Sequence, residues 1–159
     1  MLGRAPWDAE EARGLIATRR AEPGAMLPIL HDLLDRYGYI DDEAIPLIAE
    51  ALNVSRAETL GVVSFYHDFR RAPVDGALMK LCRAESCQAA GCEDLVAHLR
   101  DRHGLTVDSH ERGPLTIETI YCLGHCAVSP AALLDGHPYA RLTRERIDAL
   151  VAKAKGRPQ

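Results

Sequence analysis

Five cysteines carry the most specific chemistry this chain can do: Cys82, Cys87, Cys92, Cys122 and Cys126. Thiols crowded onto short loops are characteristic of metal ligation or redox chemistry rather than of packing. In the first group two C-x4-C pairings compete, Cys82 with Cys87 and Cys87 with Cys92. Helical periodicity separates them. Cys92, Leu95, Val96 and Leu99 fall at i, i+3, i+4 and i+7, one face of a helix predicted over 93–104, which assigns Cys92 to packing. The remaining set reads C-x4-C-x34-C-x3-C.

Four thiolates suit a single tetrahedral zinc or a pair of sulfide-bridged irons. Structural zinc favours tight C-x2-C knuckles. The wider spacings here favour a [2Fe–2S] cluster, in which each iron takes two thiolates, with zinc as the alternative. The run also departs from the plant-type C-x4-C-x2-C, and no C-x-H offers the histidines of a Rieske centre, so His125 reads as a solvated side chain.

A four-thiolate cluster of this kind carries about −2, and about −3 when reduced, and therefore calls for N–H donors and positive charge. Backbone N–H groups around 86–90 supply donors if a helix begins there. Gly124 is read as letting the second loop approach the sulfurs without a side chain, and Pro130 as fixing that loop's exit. Arg83, next to Cys82, reads either as a solvated surface charge or as a charge that favours the reduced form. At roughly 6 Å and an effective dielectric of about 20, one charge is worth about 2.8 kcal/mol, on the order of 120 mV for one electron.

The elements that must hold these loops follow from the same sequence. Asp8 to Glu11 reads as a capping box opening a helix over 9–21, closed by Pro23 and Gly24. Leu27, Leu30 and Leu34, with Ile29, Leu33 and Tyr37, form an apolar stripe ended by Gly38. A third helix, capped by Asp41 or Asp42, carries Ile45, Ile48 and Leu52, with Pro46 tolerated in its first turn. Ser55 and Glu58 form a second box, opening a helix with Leu60, Val62, Val63, Phe65, Tyr66 and Phe69, the two phenylalanines being assigned to the core. "RRAPVDG" (70–76) is a turn-rich linker.

Beyond it the periodicity changes. "ALMKLC" (77–82) reads as a buried strand, "EDLVAHLRDRHG" (93–104) as a helix, and "LTIETIYC" (115–122) as a second strand. A hairpin turns at Asp135-Gly136, and Thr143 caps a last helix through Val151. The order β-α-β-β-β-α is a small mixed domain. If the first two strands are parallel, both cysteine loops leave the same end of the sheet. The predicted class is α+β, with a helical bundle over 1–72 and an α/β domain over 77–159.

Charge and composition narrow the function. The net charge is −4; residues 1–76 hold 8 Lys/Arg against 13 Asp/Glu (−5) and residues 77–159 hold 11 against 10 (+1). Neither half offers the basic field of a nucleic-acid binder. No run is long and apolar enough to span a membrane, and the start lacks a signal peptide's apolar stretch, so the expected compartment is cytoplasmic, where thiols bind metals or react. Nucleotide loops of the G-x-G-x-x-G kind are absent, as are hydrolase constellations and the C-x-x-C of a thiol–disulfide enzyme.

The cysteine pattern, behind a helical N-terminal half, resembles the thioredoxin-like [2Fe–2S] ferredoxins, which include the 24-kDa-type subunit of respiratory complex I. "VSFYHDFRRAP" and "KLCRAESCQAAGC" resemble more closely the gamma subunit of cytoplasmic, NAD-dependent, molybdenum-containing formate dehydrogenases. The similarity runs from about residue 24 onward. It implies a thioredoxin-like sheet behind the site, one [2Fe–2S] cluster, and Cys82, Cys87, Cys122 and Cys126 as its ligands. It also implies an FMN- and NAD-binding partner subunit and a molybdopterin and iron–sulfur catalytic subunit. The expected role is single-electron exchange with the partner's flavin, so that catalysis belongs to the complex and not to this chain alone. The equivalent subunit of complex I or of an NAD-linked hydrogenase is the near alternative, and a zinc-stabilised interaction module the distant one. Arg70 and Arg71 in the acidic half are the expected partner-docking residues.

Overall fold

The structure is a computed structural model that describes residues 5–109 and 113–156. The chain divides between Pro73 and Val74 into two compact units.

The first unit is helical. Helix α1 (Ala9–Arg19) starts where Asp8 accepts a hydrogen bond from the Glu11 N–H at 2.9 Å. Only this forward half of the expected capping box is found. Glu11 turns instead to α2 (Met26–Tyr37), accepting from Arg36 Nε at 2.8 Å and from the Tyr37 hydroxyl at 3.3 Å. The apolar stripe of α2 is buried as its periodicity requires: Ile29, Leu30, Leu33, Leu34 and Tyr37. Gly38, in the left-handed region at φ 81°, closes the helix by donating to Leu34 O.

Helix α3 (Ala44–Leu52) is not capped by Asp41 or Asp42, because Glu43 holds the cap position without a side-chain bond. Asp41 accepts from the Glu43 N–H and shapes the preceding turn instead. Pro46 falls third in the helix, where the N–H it lacks has no intrahelical partner to lose. Helix α4 (Arg56–Phe65) carries the complete Ser55/Glu58 box.

The two phenylalanines part company. Phe69 is buried against the helical core, with its ring 5.1 Å from that of His31, but it lies beyond α4. Phe65 is 73% exposed, which corrects its assignment to the core. Helix α4 buries Thr59 and Val63; two residues past Val63 is about 200° round the helix, so Phe65 faces away. The chain after α4 folds back through Ile40 N–H to Arg70 O (2.8 Å) and an Arg71–Asp42 ion pair, and this return carries Phe69 inward.

The second unit is a four-stranded sheet in the order β2-β1-β3-β4. Strands β1 (Ala77–Cys82) and β2 (Leu115–Ile120) are parallel, in register from Ala77↔Leu115 to Cys82↔Ile120. Between them run a short helix, α5 (Glu85–Ala89), not predicted as a separate element, and α6 (Cys92–His103). At the start of β1 a Cβ on Gly76 would stand 2.2 Å from Pro114 O, so only glycine permits this backbone approach. Strands β3 (Ala132–Leu134) and β4 (His137–Tyr139) form the expected hairpin, with β3 antiparallel to both β1 and β4. Asp135 (φ 49°) and Gly136 (φ 80°) give both positive φ values of a type I′ turn. Thr143 caps α7 (Arg144–Lys155), one turn longer than expected. Met79, Leu81, Leu99, Ile117, Leu134 and Ile147 fill the core. Among the described residues no helix is long and apolar enough to cross a membrane.

Candidate metal centre

The β1/β2 register brings Cys82 beside Ile120, so the loops leaving both strands start at the same end of the sheet. Cys82 is the last residue of β1 and is buried, its N–H bonded to Ala131 O at 3.0 Å. Cys87 is buried within α5. Strand β2 stops at Ile120, two residues short of the expected end, which puts Tyr121 and Cys122 in the loop. Cys122 and Cys126 are exposed, and Cys126 opens a 3-10 turn, Cys126–Val128.

The second loop depends on unusual backbone. Cys122 (φ 75°) and Gly124 (φ 74°) both lie in the left-handed region, and the Gly124 N–H meets Cys122 Sγ at 3.4 Å. A Cβ at Gly124 would touch nothing within 4 Å. Its glycine is therefore required by backbone conformation, not by crowding at the sulfurs, which corrects the reason inferred from sequence.

The thiols converge. Cys122 and Cys126 Sγ are 3.9 Å apart, close to the roughly 3.8 Å edge of a tetrahedron with metal–sulfur bonds of about 2.3 Å. Cys82, Cys87 and Cys126 line one pocket with Ser86, Leu123 and His125. Burial pushes the Cys82 thiol up, yet the N–H of Ala84, the Cys87 thiol, and the N–H groups of Cys122 and Leu123 together bring it below its ordinary value. The Cys126 thiol is held above its ordinary value, first by its contact with Cys122, with smaller contributions from Cys87 and Cys82. A sulfur whose proton affinity its neighbouring sulfurs raise, as Cys126 is, is relieved by a shared cation. The donor set thus fits a thiolate-bound metal group, buried on the Cys82/Cys87 side and open on the Cys122/Cys126 side.

Cys92 behaves differently. It is fully buried at the start of α6, and burial, with Glu93 next, pushes its thiol up to about 11. Its Sγ lies 3.8 Å from Glu93 Oε1. A neutral thiol packed under the site agrees with its place on the apolar face of α6.

Three neighbours escaped the sequence reading. Ser86 Oγ lies 3.1 Å from Cys126 O and 2.9 Å from Ser129 Oγ, and Ser129 Oγ lies 3.5 Å from Cys87 Sγ. Glu93 holds Arg83 through two hydrogen bonds, and Thr119 Oγ1 accepts a third at 3.4 Å. The only sequence signal for the serines is adjacency, Ser86 before Cys87 and Ser129 three residues after Cys126; nothing local links Glu93 to Arg83.

The chain is similar to known proteins over most of its length. A family model described as thioredoxin-like [2Fe-2S] ferredoxin matches residues 12–155. NADH-quinone oxidoreductase subunit 2 of Thermus thermophilus is 30% identical over 130 residues, covering 80% of this chain and 72% of the relative. The NADP-reducing hydrogenase subunit HndA of Solidesulfovibrio fructosivorans is 25% identical over 131 residues, covering 82% and 77%. In the crystal structure of an NAD+-reducing [NiFe]-hydrogenase in the H2-reduced state, a chain 27% identical in sequence matches 88% of this chain with a TM-score of 0.71. The present chain spans 23% of that hydrogenase chain.

Proposed function

The chain belongs to the thioredoxin-like [2Fe–2S] ferredoxin family, and from that premise we propose that it is the electron-transfer subunit of an NAD-linked oxidoreductase complex. Cys82, Cys87, Cys122 and Cys126 are the ligands of its one [2Fe–2S] cluster. The observation that carries this reading is the convergence of the four thiols from two loops at one end of the sheet.

When bound, the cluster supplies reversible one-electron transfer. The protein's own residues do the rest. The N–H groups of Ala84, Cys122 and Leu123 point donors at Cys82 Sγ, and Gly124 N–H does the same for Cys122. Such donors stabilise thiolate charge and favour the reduced state. Burial of Cys82 and Cys87 keeps water from one side. The exposed Cys122, Cys126 and Tyr121 bring the other side to the surface, where a partner's cofactor can approach.

NAD takes a hydride, two electrons and a proton, whereas this site handles one electron at a time; a flavin converts between the two modes. The chain offers no G-x-G-x-x-G of its own, which supports an FMN- and NAD-binding partner subunit. The names of these relatives, NADH-quinone oxidoreductase and NADP-reducing hydrogenase, support the nicotinamide link. Within this reading we assign the chain to a cytoplasmic formate dehydrogenase complex with a molybdopterin catalytic subunit, on the resemblance of "VSFYHDFRRAP" and "KLCRAESCQAAGC". Subunits of complex I or of a hydrogenase are the rivals. Phe65 and Tyr66, exposed on the acidic helical unit, join Arg70 and Arg71 as docking residues for the flavin subunit.

Anaerobic affinity purification of the tagged chain from its native host tests the assignment. The expected product is a coloured complex containing flavin and molybdenum that reduces NAD with formate. Quinone- or hydrogen-linked activity in its place favours a rival complex, and a colourless zinc protein contradicts the electron-carrier reading.

A further inference from the structure

We propose that His98, His103 and Asp148 form a second metal site, for one divalent transition cation such as zinc, between α6 and α7. His98 and His103 stand on α6 and Asp148 on α7. Both imidazole Nε2 atoms point at the same carboxylate oxygen: His98 at 2.7 Å and His103 at 2.6 Å from Asp148 Oδ1. The three ligand atoms lie within 4.8 Å of one another. Side-chain exposures of 15%, 17% and 30% leave the site half-enclosed, with an opening through which water can complete a coordination shell.

Two imidazoles and a carboxylate match the ligand preference of zinc and its neighbours. Without metal, each ring donates Nε2–H to Oδ1. With metal, each ring moves that proton to Nδ1 and offers the Nε2 lone pair, so both imidazoles stay neutral. Ligands of a tetrahedral zinc lie about 3.3 Å apart, so each imidazole nitrogen needs to draw back from Asp148 Oδ1 by under about 1 Å, while the two Nε2 atoms already lie within 4.8 Å of each other.

The local charge favours a cation. Glu145, on the preceding turn of α7, lies in the electrostatic field of both Asp148 and His98. Arg102 opposes it, with Nε 3.2 Å from Asp148 Oδ2, yet that contact uses the oxygen the histidines leave alone. Two carboxylates against one guanidinium leave the neutral-histidine cluster at −1. None of its three residues lines the four-thiol pocket.

The test uses the full-length, cluster-loaded protein, freed of loose metal with a chelator and dialysed against zinc. The expected result is one zinc per chain beyond the iron of the cluster, with the cluster's visible absorbance unchanged. Loss of an outer-shell partner costs about 10–100-fold in metal affinity, so loss of a ligand in His103→Gln or Asp148→Asn is expected to weaken binding at least tenfold. Arg102→Ala, an exposed change that leaves the fold intact, is expected to tighten it several-fold. Failure of the wild type to take up zinc at tens of micromolar overturns the proposal and leaves a hydrogen-bonded clamp. Equal uptake by His103→Gln and Asp148→Asn also overturns it. Should either variant lose its cluster, the Arg102→Ala result decides, and unchanged or weaker binding there counts against the site.

Discussion

Arg83 and Glu93 form a bidentate pair at the edge of the four-thiol centre, with Nε and Nη2 of the guanidinium 2.8 and 2.9 Å from the two carboxylate oxygens. The pair joins the residue after Cys82 to the first turn of α6. Its carboxyl is held below its ordinary value chiefly by the arginine's hydrogen bonds. The charge that the sequence credits to Arg83 alone is therefore largely balanced by Glu93. We expect Arg83→Glu to lower the midpoint potential, because two uncompensated carboxylates then oppose the added electron. Glu93→Gln is expected to raise it by tens of millivolts, below the ~120 mV of a lone charge at about 6 Å. Spectroscopic redox titration of both variants checks the signs; equal potentials in all three proteins would remove the pair from any role in tuning.

Ser129 is expected to act on the potential through a hydrogen bond rather than a charge. Ser129 Oγ donates to Cys126 O at 3.0 Å and accepts from the neutral Cys87 thiol at 3.5 Å. Once Cys87 is a metal-bound thiolate it can only accept, and with Ser86 Oγ 3.1 Å from the same Cys126 O to serve that carbonyl, the Ser129 hydroxyl turns to donate to Cys87 Sγ. Ser129→Ala should lower the potential by tens of millivolts and leave thermal stability nearly unchanged. Ser129→Thr, which keeps the hydroxyl, should restore it. A shift in melting temperature with no shift in potential would make Ser129 a loop brace only.

Gly124→Ala places a Cβ in open space but in the left-handed region. The expected penalty is about 1–2 kcal/mol, falling on the loop that carries Cys122 and Cys126. Faster loss of visible absorbance in the presence of a chelator, with the melting of the helical unit unchanged, is the expected result. Wild-type chelator resistance would contradict the role given to the loop's backbone.

Phe65 separates docking from folding. Exposed and turned away from the core of its unit, it should be replaceable by serine with no more than about 0.5 kcal/mol change in stability. As an interface anchor its loss should weaken copurification with the flavin subunit by about tenfold or more. Undiminished copurification would move the docking surface elsewhere.

Much of this was legible in the sequence, for identifiable reasons. The α2 stripe, the Ser55/Glu58 box and the Asp135-Gly136 turn follow from local periodicity and turn chemistry, which the tertiary structure only has to accept. The parallel pairing of β1 and β2, a condition in the sequence, is met in the structure. Cys92 was separable from the other cysteines because its neighbours mark a helix face. Phe65 was misplaced because tertiary packing buries the Thr59/Val63 face of α4, from which Phe65 points away, while the return that brings Phe69 inward depends on contacts with Ile40 and Asp42 far away in the chain. The left-handed φ of Cys122, the Arg83–Glu93 pair and the Ser86/Ser129 bonds were illegible for the same reason, since each exists only once two distant loops meet.

The central claim is that four particular sulfurs share one cluster, and the most direct measurement is iron and sulfide analysis with electron paramagnetic resonance on single cysteine variants. Wild type and Cys92→Ala are expected to hold the two irons and two sulfides of one [2Fe–2S] cluster and to give the same spin-half signal on reduction. Serine at 82, 87, 122 or 126 should each diminish cluster content or change that signal. An unaltered signal and full iron content in any of those four, or loss of the cluster in Cys92→Ala with the fold intact, would contradict the ligand set.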